Sequence, residues 1–369
     1  MTEAPIAGKA LRRRHLMAAA IKMTGVAALA RLTGRAPEAA AAAAAESAGT
    51  LQLPARTIPI PRTVSAQAQQ FLAAMGARPA GEAKPPVAEK AAWKAQIAAV
   101  NRIFDPMIDD MLASPAKVER TTIGGANVCV GTPNAMRHPD RARLTIHGGG
   151  WTLRGGRFVM GDAAQSAAES GCTAFSVDYR MLPDFPFPAG LDDCVAAYRE
   201  IIKRYDPKKI AISGQSAGGN IAAAVTLKIR DLGLPLPGVV GLMTPAADLS
   251  GAGDTRETNW GVDVVLRLRP DAPDAGIDAY IAGHDRKDPY LSPIFGDFSK
   301  GYPPTFLQSG TRDLLLSDTV RMHRALLDAG VEAELHVWEA MPHAGFGEVA
   351  PEDIEVRRQF LKFIDRHLG

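Results

Sequence analysis

From Ala142 onward, short apolar runs alternate with longer stretches of helical character. Residues 142–146, 172–177, 209–213, 238–243, 305–309 and 332–339 read as strands, and 189–204, 217–231, 315–329 and 351–367 as helices. Thr122-Ile123 and Ala126 to Val130 are candidates for early antiparallel strands. Such alternation predicts an α/β fold with a mostly parallel sheet covered by helices on both faces. Upstream, Val64, Ala68, Phe71, Leu72 and Met75, then Trp93, Ile97, Val100, Ile103 and Phe104, recur at helical spacing. They predict a packed helical extension, with a proline-rich break from Pro79 to Pro86. Between Gly251 and Gly283 the regular alternation lapses.

Two glycine-bearing segments sit at predicted strand ends. Gly214-Gln215-Ser216-Ala217-Gly218 follows the apolar Ile210-Ala211-Ile212 and opens an alanine-rich helix. That is the strand, sharp turn and helix of a nucleophile elbow, with glycines where strand and helix pass too close for a Cβ. His147-Gly148-Gly149-Gly150 follows the strand-like Leu144-Thr145-Ile146. A glycine run lets successive N–H groups point into a pocket, as stabilising an oxyanion requires. No Lys-Ser or Lys-Thr follows it, which argues against a phosphate-binding loop. A serine hydroxyl needs a base, and the base an orienting acid. After Ser216 come His284, His323, His336, His343 and His367. His336 falls in a predicted strand, His323 and His367 in helical runs, and His284 in a polar loop. His343 stands in a loop between the last strand and the last helix, where sites concentrate such groups.

With both motifs in order, the chain resembles the hormone-sensitive-lipase branch of the α/β-hydrolases, bacterial esterases built on HGGG and GxSAGG. Asp178-Tyr179-Arg180-Met181-Leu182-Pro183 with Phe187-Pro188-Ala189, and Asp288-Pro289-Tyr290-Leu291-Ser292-Pro293, resemble further segments of that family. The resemblance runs from roughly Val118 to the C-terminus. Gln215, where the family usually has Asp or Thr, and Met181-Leu182-Pro183-Asp184 depart from it. The resemblance implies an α/β-hydrolase fold with a helical N-terminal cap and the chain order Ser216, acid, His343. Asp313, after the predicted strand Thr305–Ser309, matches the family's acid; Asp318, at an apparent helix start, is its rival. Backbone N–H groups of Gly148, Gly149 and Ala217 are the implied oxyanion hole. His147, Asp178 and Tyr179 are expected to be scaffold around it. Trp151, Gln215, Phe185 and Phe187 are candidate walls of the substrate pocket. The implied activity is hydrolysis of short- to medium-chain acyl esters. Alternatives are a lactone, an arylformamide or another amide on the same machinery, and a non-catalytic receptor of this fold.

Composition agrees. The 369 residues, 46% hydrophobic and 22% charged, suffice for a large two-sided core. A formal net charge of +2 gives no sign of a nucleic-acid partner. Cys129, Cys172 and Cys194 lack CxxC or Cys/His spacing, so they read as small buried hydrophobes, and no metal or other cofactor is expected. Arg12-Arg13-Arg14-His15-Leu16-Met17, an apolar run to about Leu32 and the alanines 39–45 resemble a twin-arginine export signal. The stretch is too short and interrupted for a membrane span. A disordered tail on a cytoplasmic protein is the alternative. The expected organisation is a signal or tail over 1–48, a helical cap over 49–117 and a catalytic domain over 118–369. A second cap portion is expected over 251–283, and the final helix is a candidate homodimer face.

Overall fold

Alternate residues of the central strands enter two different cores, and this is what builds the molecule. The computed structural model describes residues 51–369 apart from 52, 56, 78–85, 87, 269–273 and 349. The segment expected as an export signal or tail, and most of the proline-rich break, lie outside the described residues. Eight strands form one sheet: β1 (Ala116–Ile123), β2 (Ala126–Pro133), β3 (Ala142–Ile146), β4 (Thr173–Val177), β5 (Ile210–Gln215), β6 (Val239–Met243), β7 (Thr305–Gly310) and β8 (Ala333–Trp338). Their order is β1-β2-β4-β3-β5-β6-β7-β8, antiparallel at β1/β2 and β2/β4 and parallel thereafter. The antiparallel pair is longer than the sequence suggested, and β1 begins at Ala116, inside the expected cap segment.

Ile210, Ile212, Val240 and Leu242 enter the main core, shared with Ile221 and Leu227 of the helix Ala217–Asp231. Ala211 and Val239 point the other way, onto Phe360, Phe363 and Ile364 of the terminal helix Pro351–Leu368. Period-2 alternation thus buries both faces, as a doubly covered parallel sheet requires. One helix, Arg157–Ser170, was not legible in the sequence pattern. Its buried face begins with Phe158 and Val159 and continues through Gly161, Ala163, Ala164, Ser166, Ala167 and Ser170, small residues with little contrast to their neighbours. It is the crossover that the parallel pair β3/β4 needs.

Ile58–Gly369 forms one compact unit that includes the N-terminal helices. In chain order these are Ala66–Gly76, Lys90–Asn101 and Asp105–Leu112. Ser65 caps the first by accepting from Ala68 N, and its own N and Oγ each bond Glu352 at 2.7 Å. Val64, Ala68 and Leu72 pack on Met341, Phe346 and Ala350, which flank His343. Ile108 and Met111 pack on Phe158, just past the glycine loop. The predicted apolar stripe is correct at Trp93, but Ile103 is 56% exposed on a single 3₁₀ turn, Arg102–Phe104. Where the alternation lapses, the described residues form short helices, Thr255–Thr258 and Ala275–Ile281. Among the described residues, no helix is long and apolar enough to cross a membrane.

Candidate active site

Strand register brings the two glycine motifs together: Ile146 at the end of β3 pairs with Gly214 on β5. Beyond Gly214 the chain reverses sharply, with Ser216 at φ 58° and ψ −120°, a strained conformation for a residue with a Cβ. Three backbone bonds fix the turn: Ser216 N donates to the Met243 carbonyl at 2.9 Å, and the Ser216 carbonyl accepts from Asn220 N at 3.0 Å and Ala246 N at 3.2 Å. The glycines follow from close approach. A Cβ on Gly214 would lie 2.2 Å from the Gly218 oxygen, and one on Gly218 would lie 2.0 Å from the Ile146 oxygen. The elbow therefore lifts the Ser216 hydroxyl off the sheet at the head of a helix.

His343 comes from the loop after β8 and Asp313 from the loop after β7. Their side chains meet Ser216 in one line. Ser216 Oγ lies 2.8 Å from His343 Nε2, and His343 Nδ1 lies 3.0 Å from Asp313 Oδ1. Asp313 is further held by Leu315 N at 2.9 Å and by the Ser309 hydroxyl at 2.7 Å, both donating to its carboxylate. Burial by itself would push the His343 pKa down. The adjacent Asp313 charge and hydrogen bond, with Asp263 adding to them, outweigh it, and the net shift is upward from 6.5.

Asp318 is not part of this line. It is fully buried in the first turn of the helix Leu316–Asp328, where it accepts from Asp248 N at 3.1 Å. Burial raises its pKa to about 7. The other histidines behind Ser216 are also engaged elsewhere. His336 stacks on Phe306, His323 approaches the Ala333 carbonyl, His284 meets Phe187 edge-on, and His367 packs on Phe363.

Gly148 packs against the elbow, where a Cβ would be 2.8 Å from the Gln215 oxygen and 3.3 Å from the Ser216 Cβ. Among the described residues, the N–H groups of Gly148, Gly149 and Ala217 have no protein acceptor. Ala217 is the first residue of its helix, so its N–H belongs to the positive end of the helix dipole. His147 is scaffold. Its ring stacks on Tyr179 at 4.4 Å, its Nδ1 lies 2.8 Å from the Gly148 carbonyl, and burial drives its pKa down. Tyr179 OH donates to the His147 carbonyl at 2.9 Å, and Asp178 accepts from Gly156 N at 3.0 Å.

The candidate pocket residues separate. Gln215 lies against the elbow, its Oε1 accepting from Arg154 Nη1 at 3.0 Å. The Arg154 guanidinium lies over the Phe104 and Phe158 rings at 4.8 and 5.1 Å, and Arg154 N donates to Asn101 Oδ1. A cavity of about 170 Å³ lies alongside, bordered by Gly148, Arg154, Phe158, Gln215 and Met107. Trp151, 4% exposed, stacks flat on Tyr280 at 4.2 Å, and Phe187 meets the same ring edge-on. Phe185 is 44% exposed beneath the Arg180 guanidinium, a surface position outside the hydrogen-bonded line.

Two residues that sequence reasoning missed touch this site, Arg154 and Asp263. Asp263 lies in the irregular 251–283 segment, yet its carboxylate accepts from Leu314 N at 2.8 Å and His343 N at 3.4 Å. Its only local signal is a lone acid in the apolar run Val262-Asp263-Val264-Val265-Leu266.

Residues 143–346, over half of the chain, match the family described as alpha/beta hydrolase fold. With the fold and this geometry, the chain belongs to the α/β-hydrolase family. It is 33% identical over 240 residues to an acetyl-hydrolase of Streptomyces hygroscopicus, covering 61% of this chain and 77% of that protein. It is 35% identical over 272 residues to the carboxylesterase NlhH of Mycobacterium tuberculosis, covering 68% and 83%. Among solved structures it is similar to the esterase E25, with a TM-score of 0.78, 32% identity and coverage of 87% of this chain and 99% of that one. An esterase from the bacterial hormone-sensitive lipase family gives a TM-score of 0.71, 28% identity and coverage of 83% and 99%. The protein is a carboxylic ester hydrolase of the hormone-sensitive-lipase-like branch.

Proposed function

We propose that Ser216, His343 and Asp313 are the catalytic triad of this esterase, acting on short- to medium-chain acyl esters through an acyl-enzyme. The observation that carries the reading is the unbroken relay from Ser216 Oγ to His343 Nε2 and from Nδ1 to Asp313. His343 takes the Ser216 proton as Oγ attacks the ester carbonyl carbon. The resulting oxyanion is held by the N–H groups of Gly148, Gly149 and Ala217. The imidazolium then gives its proton to the leaving alkoxide as the C–O bond breaks. A water, deprotonated by the same imidazole, attacks the acyl-enzyme, and Ser216 leaves with the proton. Asp313 holds the tautomer with Nδ1 protonated and faces the positive charge that forms on the ring. The similarity to a protein named acetyl-hydrolase supports short acyl chains.

Hydrolysis of p-nitrophenyl esters from acetyl to dodecanoyl tests the reading. Rates are expected to fall steeply beyond medium chains, and Ser216→Ala to lower kcat by roughly five to six orders of magnitude in a folded protein. Ester turnover retained by Ser216→Ala overturns the triad. The same reading takes residues 1–48 as an export signal and the final helix as a dimer face. Cell fractionation and sedimentation of the purified protein test these two points.

A further inference from the structure

Asp263 carries a second inference, which rests on the triad reading. It is 1% exposed, and among the described residues every hydrogen bond its carboxylate makes is with a backbone N–H. Oδ1 accepts from Val265 at 2.9 Å, Leu266 at 3.2 Å and His343 at 3.4 Å, and Oδ2 from Leu314 at 2.8 Å. Four donors and no acceptor suit a carboxylate and not a carboxylic acid, whose O–H would need somewhere to donate. Two of the four lie on the reaction line. Leu314 directly follows Asp313, and the His343 N–H belongs to the base itself.

A neighbour on the same segment grips the same loop. Asn259 Nδ2 donates to the carbonyls of Asp313 at 2.8 Å and Thr311 at 3.2 Å. The Asn259 carbonyl in turn accepts from Asp263 N at 3.0 Å, joining the two grips. The charged groups around the His343 ring are Asp313 from the loop after β7, Asp263 from this segment, and Arg154 from the glycine loop, which opposes them.

We propose that Asp263 is a positioning residue for the reaction: its carboxylate ties the acid loop to the base loop and presents a second negative charge to the imidazolium that forms during acyl transfer. The segment expected to serve as a second cap portion thus acts on the base from behind. Burial raises the pKa of Asp263 itself, while the facing His343 works against that rise and Asp313 adds to it.

The test reads the acid limb of two rates between pH 4.5 and 9, in the wild type, Asp263→Asn and Asp263→Glu. One rate is kcat/KM for p-nitrophenyl butyrate, and the other is labelling of Ser216 by a fluorophosphonate. Removing the charge is expected to move the limb of Asp263→Asn down by about one pH unit, as for one charge across several ångströms at an effective dielectric near 20. The plateau rate should fall about tenfold, since 1.36 kcal/mol is tenfold in rate. Asp263→Glu keeps the charge but not the four contacts, so it should lower the plateau and leave the limb in place. A limb unmoved in Asp263→Asn, with only the plateau or Tm lowered, makes the residue purely structural and overturns the proposal.

If Asp263→Asn does not fold, Asp313→Asn gives the same reading with Asp263 intact. The remaining charge should hold its limb above about pH 5, whereas burial alone can depress a histidine by some three units. A limb below about pH 5 overturns the proposal. A wild-type protein that neither labels nor hydrolyses esters defeats the triad reading instead, and so is distinguishable.

Discussion

Replacing Asp313 by Asn changes charge while keeping shape, so its effect can be worked from the contacts. The carboxylate sits between the His343 ring at 3.0 Å, Leu315 N at 2.9 Å and the Ser309 hydroxyl at 2.7 Å. An Asn with Oδ1 toward His343 and Leu315 leaves its NH₂ facing Ser309 Oγ, which can reverse its hydroxyl and accept. The correct tautomer survives, and what is lost is the charge facing the imidazolium. Two unit charges about 4 Å apart at an effective dielectric of about 20 interact by about 4 kcal/mol. That interaction exists only once the ring is protonated in the transition state, so about three orders of magnitude in kcat should disappear, with little change in KM. The assay is steady-state hydrolysis of p-nitrophenyl butyrate at pH 8, with circular dichroism and Tm as controls for folding. Asp318→Asn is the companion, because it removes a nearby buried acid that does not touch His343. A loss below tenfold in Asp313→Asn, or a larger loss in Asp318→Asn, refutes the assignment of the acid.

Other outcomes follow from the same geometry. The His343 pKa is shifted upward from 6.5 and the base must be neutral, so kcat/KM should fall tenfold per unit as pH drops through a value above 6.5. A limb below 6.5 in a pH–rate profile contradicts the balance of charges described for the site. Asp318 has a folded pKa of about 7 against an ordinary 3.8, so the folded protein holds the proton more tightly than the unfolded chain. Stability from this group is present at acid pH and is lost as pH rises toward 7. Asp318→Asn, which resembles the protonated form, should match the wild-type Tm only below about pH 4, where the unfolded chain is protonated too, and exceed it by about 3 °C or more at pH 8; equal Tm values at pH 8 count against the buried charge. Gly218→Ala places a Cβ 2.0 Å from the Ile146 oxygen and 2.5 Å from the His147 oxygen, both backbone. Relief requires the elbow helix to move off the glycine loop, so thermal unfolding should show about 3 kcal/mol of destabilisation and kinetics at least a hundredfold loss of kcat. Wild-type values for both rule out the close approach.

Most of the sheet was legible in the sequence because hydrophobic alternation is local information. Ile210, Ala211 and Ile212 announce a doubly buried strand wherever they lie in the fold. The elbow and the glycine loop were legible for a related reason, since a sharp turn and a close backbone approach each demand glycine at a fixed offset. The helix Arg157–Ser170 was not, because beyond Phe158 and Val159 in its first turn it packs through Gly, Ala and Ser, and its apolar stripe does not continue. Ser216 and His343 are 127 positions apart, and His343 and Asp313 are 30 apart. Chain order and resemblance named these three residues, but only the packing of the loops after β7 and β8 put Asp313 on the imidazole and Asp318 behind it. The same holds for Asp263, 80 positions from the backbone N–H of His343 to which it bonds. Sequence determines which strands form and where the chain can turn, because those are contests among near neighbours. Which carboxylates face the base is decided by tertiary structure, because distance through space, desolvation and charge have no counterpart in sequence spacing.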